Sequence, residues 1–78
     1  MEDYTPSATE IAQHYSASMD SVNLINRLVA ESSITDEEKD NIDRNVRHLE
    51  GSKAQSYWTT EDLSPFELAI TAGKAKIA

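Results

Sequence analysis

Three times in 78 residues a serine or threonine is followed three places later by a glutamate: Ser7-Ala8-Thr9-Glu10, Thr35-Asp36-Glu37-Glu38 and Ser64-Pro65-Phe66-Glu67. In a capping box of this form the hydroxyl accepts from the amide of the third helical residue, and the glutamate reaches back to the capping amide. Three such starts, only two glycines and two prolines, and no period-2 alternation predict an all-α chain with no strand. The expected fold is a single domain over residues 1–78: a small three-helix antiparallel arrangement with helices at about 7–31, 36–57 and 65–77.

For the first helix, Ser7 competes with Thr5, which would place Pro6 at the first helical position. Ala8, Ile11, Tyr15, Met19, Val22, Ile25 and Val29 then recur at steps of three and four and define one apolar stripe. The second helix opens with three acids, suited to the positive end of its dipole, and carries Ile42, Val46 and Leu49 on its apolar side. Asp40 with Arg44 and Asp43 with Arg47 are i,i+4 pairs of about 0.2–0.5 kcal/mol each. From Gly51 to Ser56 no large apolar residue occurs. The helix either passes through Gly51 toward Tyr57, the reading adopted, or breaks there.

The third helix has the clearest start. Ser64 stands as N-cap, Pro65 at the first helical position and Glu67 at the third, and Leu63 and Leu68 occupy the two positions of a hydrophobic staple. Phe66, Ala69, Ile70, Gly73 and Ile77 share one face, and Lys74 and Lys76 sit in the last turn. The stretch from Trp58 to Asp62 reads as a turn.

Composition narrows the chemistry. With no cysteine, disulfides, thiolate zinc sites and thiol nucleophiles are excluded. Fourteen acids against seven bases, a net charge of -7, disfavour direct binding to nucleic acid or anionic lipid and favour a basic partner. No apolar run approaches the roughly 20 residues that span a bilayer. Met1-Glu2-Asp3-Tyr4 is acidic where a secretory signal is basic, so the chain is expected to stay in the cytoplasm of the cell that makes it.

Neither histidine makes a catalytic constellation. No glycine-rich loop, Gly-x-Ser-x-Gly or Walker pattern accompanies them, so no enzyme and no cofactor are expected. His14 sits at the edge of the first stripe and His48 beside Leu49 on a charged helix, both as surface side chains. Glu10 and His14 supply two ligands at most, and the acids from Asp36 to Asp43 lack the glycine and terminal glutamate of a calcium loop, so no metal is expected.

Two surfaces remain as candidate partner sites. Ala17, Leu24 and Leu28 lie off the main stripe of the first helix, and with Tyr57 and Trp58 they form an expected apolar contact face, while for Trp58 the favoured place is the small core, which has little else large enough to close it. The alternative occupant of that second face is simply another helix of the same fold. Asp36, Glu37, Glu38, Asp40 and Asp43 form an acidic tip able to engage a basic groove.

The segments from Asp43 to Glu50, from Tyr57 to Pro65 and from Ala69 to Ala75 together resemble small helical proteins of unassigned function encoded by tailed bacteriophages. The resemblance covers residues 43–75 and implies a phage product acting in an infected bacterium or assembled into a virion, with no active site to carry over. The leading expectation is thus a non-enzymatic protein-protein interaction module, a phage-type structural or assembly component working through apolar helix faces by docking on a protein or by homo-oligomer formation. The alternative is a small acidic inhibitor of a basic, nucleic-acid-binding host protein. A helical transcription or toxin-antitoxin regulator ranks below both, because no helix is rich in Lys and Arg.

Overall fold

The computed structural model describes residues 6–78 and contains three helices: α1 (Ala8–Val29), α2 (Asp36–Lys53) and α3 (Ser64–Ile77). Each packs against the other two, giving an all-α three-helix bundle. The opening residues Met1 to Tyr4 and the alternative cap Thr5 lie outside the described residues.

Two of the three expected capping boxes form. Ser7 Oγ accepts from the Glu10 amide, and Glu10 Oε1 accepts from the Ser7 amide, both at 3.2 Å. Thr35 Oγ1 accepts from the Glu38 amide at 3.1 Å and Glu38 Oε1 from the Thr35 amide at 2.9 Å. α1 stops at Val29, two residues short of expectation, because its last turn tightens: the Glu31 amide donates to the Leu28 carbonyl instead of continuing the helical ladder.

The third box does not form. α3 begins at Ser64, with Leu63 as its cap and no side-chain capping bond. Asp62 Oδ1 accepts from the Ser64 amide at 2.9 Å, so an upstream carboxylate serves the exposed amide and Ser64 is drawn into the helix. The staple fails with it: Leu63 is half-buried against the core, while Leu68 points outward and is 72% exposed. Glu67 turns to Lys53 of α2, with Oε1 and Nζ 3.3 Å apart.

α2 passes through Gly51 but ends at Lys53, not Tyr57. The Ser52 carbonyl accepts both the Gln55 amide at 3.1 Å and the indole Nε1–H of Trp58 at 2.7 Å. Trp58 thereby folds back onto the bundle, where it packs against the core, and the chain cannot remain helical up to it.

Each helix contributes three residues to the core: Val22, Ile25 and Leu28; Ile42, Val46 and Leu49; Phe66, Ala69 and Ile70. Burying a large apolar side chain of this kind is worth about 1.5–3 kcal/mol, so a centre this small depends on close packing. Gly73 supplies part of that closeness on α3. The predicted stripe of α1 is only partly the buried one. Val22 and Ile25 are buried and Tyr15, Met19 and Val29 pack half-buried around them, but Ser18, Ser21 and Leu28 are also buried and Ala8 is exposed.

Candidate functional site

One end of the bundle gathers aromatic rings. Tyr15 of α1 tilts against Phe66 of α3 at 5.3 Å between centroids and meets Trp58 edge-on at 6.0 Å. Tyr57 and Trp58 are 4.8 Å apart, and Tyr57 stacks on His14 at 5.2 Å with 23° between ring planes. The Tyr15 hydroxyl donates to the Asp62 carbonyl at 2.8 Å and ties α1 to the connection before α3. Offset and edge contacts of this kind add about 0.5–1.5 kcal/mol per pair beyond area burial, so the 54–63 connection is held firmly despite lacking helix.

Beside this cluster a groove of about 360 Å³ opens between α1 and α2. His14 and Ala17 line it from α1, Arg47, His48 and Gly51 from α2, and Tyr57 from the connection. Its floor holds Ser18, 2% exposed, whose Oγ lies 2.7 Å from Ser52 Oγ. Two hydroxyls thus satisfy each other where a large side chain would hold the helices apart. Gly51, Ser52 and Gln55 of the polar stretch that follows α2's apolar residues line this groove. The two histidines, 34 residues apart in sequence, share it, a juxtaposition no local pattern contains.

A second groove, about 420 Å³, runs on the other side of the α1 start between Ile11, Ala12 and Tyr15 and the Thr59–Glu61 segment. The Glu61 carboxylate lies below the usual glutamate range because the Thr59 amide donates to it at 3.1 Å and the Thr60 amide at 3.0 Å. Asp62 is likewise lowered, chiefly by the Ser64 hydroxyl and then by the Ser64 amide.

The expected apolar face is divided. Leu28 is 5% exposed and belongs to the core, so it has no surface to offer, contrary to its expected place on a free face. Leu24 is half-buried against the same core. The part of that second face that holds Leu24 and Leu28 is covered within the bundle, because each of the three helices packs against both others. Trp58 is also a packed residue. Ala17, exposed, and Tyr57, half-buried, remain at the surface and meet at the groove.

The acidic tip is at the opposite end of α1. Asp36, Glu37 and Asp40 are exposed and Glu38 and Asp43 half-buried. Asp40 pairs with Arg44, and Asp43 with Arg47 at 3.2 Å. Glu31 is held above the ordinary glutamate range, first by a hydrogen bond shared with the Glu38 carboxylate and then by loss of water and by repulsion from it; Arg27 and Lys76 oppose this. Glu38 is lowered, first by the Thr35 amide. Lys76 reaches from α3 to donate to the Glu31 carbonyl.

Among the described residues no group of three or more His, Asp and Glu side chains converges as a metal site, and no helix is long and apolar enough to cross a membrane. The class of protein is therefore set by the architecture: a small all-α three-helix bundle with an aromatic, grooved end and an acidic end. No protein-family model, curated protein or solved structure matches this chain.

Proposed function

We propose that this protein is a non-enzymatic protein-protein interaction module, a phage-type structural or assembly component that associates with itself or a larger protein through its aromatic, grooved end. The observation that carries the reading is the meeting of Ala17 and Tyr57 at one groove, backed by a rigid ring cluster. Surface aromatics held in place lose little freedom on binding and make good anchors. The test is solution mass by light scattering at two protein concentrations and at low and high salt, for the native chain and Ala17→Glu. A mass above monomer that survives high salt and falls in the variant is expected. An unchanged mass in the variant discards this end as the contact.

The second reading, an acidic inhibitor of a basic host protein, is favoured by the exposure of Asp36, Glu37 and Asp40 together and by the crowding of Glu31 against Glu38. It requires capture of a basic partner that weakens steeply with salt and is lost in the Asp36→Lys, Glu37→Lys double variant. Salt-insensitive capture removes it.

A further inference from the structure

In a chain with twice as many acids as bases, the groove between α1 and α2 is lined by both histidines and an arginine and by no carboxylate. Its donor-bearing residues come from two helices and the connection: His14 from α1, Arg47 and His48 from α2, and Tyr57 from the segment before α3. Arg47 meets Asp43 through Nε, yet its side chain stays 77% exposed, and a guanidinium carries five N–H donors, more than one carboxylate contact uses. Arg is the side chain best shaped for a planar or tetrahedral oxyanion, and imidazoles donate to the same ligands. Small residues, Ala17 and Gly51, line the groove beside the Ser18–Ser52 pair, and a Cβ added at Gly51 would meet nothing within 4 Å, so a compact group has room to enter.

We propose that this groove is a binding site for a small oxyanion, a phosphate or carboxylate group received between His14, Arg47 and His48. The site is the same groove that the association reading uses, but a monomer presents the same three side chains, so oxyanion binding is read separately from solution mass. Asp43 of the acidic cluster already pairs with Arg47, so an oxyanion entering the groove competes with that carboxylate in a chain whose net charge opposes it.

The test is NMR of the histidine ring protons and backbone amides of the intact chain at fixed pH, titrated with sodium phosphate, with sodium acetate, and with sodium chloride at matched ionic strength. Saturable shifts centred on His14, Arg47 and His48 are expected with phosphate, acetate or both, the two arms showing which oxyanion the groove takes. Arg47→Gln, at a mostly exposed position, should weaken binding about tenfold or more, the scale of a lost charged hydrogen bond. Arg44→Gln removes the same charge one helical turn away and should leave it unchanged. Non-saturating shifts equal to those in chloride, or equal weakening by the Arg44 and Arg47 variants, overturn the proposal.

Discussion

Gly73 of α3 lies so close to Val46 of α2 that a Cβ at position 73 would fall 2.7 Å from Val46 Cγ2, with Ile42 Cγ2 at 3.1 Å and Ile25 Cγ2 at 3.2 Å. These are stiff β-branched side chains from both other helices, so none can swing aside. Gly73→Ala should therefore destabilise by about 1–2 kcal/mol, overpacking outweighing the gain of roughly 1 kcal/mol in helix propensity. Gly51→Ala, with open space around it, should stabilise by about 0.5–1 kcal/mol. Urea denaturation of the two variants checks the contrast; a stabilised Gly73 variant would mean that the three helices do not meet there.

Ser18 and Ser52 depend on each other. Ser52→Ala removes the partner of a hydroxyl on a nearly inaccessible residue and should lose about 1–2 kcal/mol. Ser18→Ala with Ser52→Ala should cost less than the two single changes added together, as a double-mutant cycle by urea melts will read. Strict additivity would show that the two hydroxyls do not interact.

Leu68 tests which start α3 uses. If it packed on Leu63 as a staple, Leu68→Ala would cost stability; at 72% exposure it should change the unfolding free energy by less than about 0.5 kcal/mol. Tyr15→Phe should lose about 0.5–1.5 kcal/mol through the bond to the Asp62 carbonyl while keeping the ring contacts. Thermal and urea unfolding of both variants distinguish the two expectations.

Acid should loosen the connection before α3. Glu61 and Asp62 titrate lower in the folded chain than when unfolded, so the unfolded chain binds more protons and stability declines as pH falls from about 5 to 3. Asp62 is exposed and Glu61 only half-buried, which keeps the effect small. Glu31 runs the other way, its raised carboxyl favouring the folded state on the acid side and losing that contribution as pH rises through its folded value. Asp62→Ala should flatten the acid decline measured by urea melts between pH 7 and 3; an unchanged slope would place the acid sensitivity elsewhere.

The expected face Ala17, Leu24 and Leu28 shows where a one-dimensional reading stops. The spacing sets these residues apart from the Val22 and Ile25 stripe, yet Leu28 joins the same core and Leu24 packs against it, because spacing does not say whether a second stripe meets a partner or another helix of the same chain. Leu28 in the core answers for its own position. The groove left no local trace either: its histidines lie on different helices, and the small residues beneath them read only as a thin pattern.

What this sequence determined alone is whatever neighbours within one helical turn control: three helices, the first two capping boxes, the lysines at the end of α3 and the core residues of α2 and α3. These rest on i,i+3 and i,i+4 interactions, complete before the helices meet. Tertiary contact decided the rest. Trp58 bonding the Ser52 carbonyl ended α2, the turn at Asp62 displaced the Ser64 cap, and packing on two sides drew Ser18 and Leu28 inward. Each of these settles a competition between two locally acceptable arrangements, and the winner is the one whose apolar and polar groups find partners on another helix.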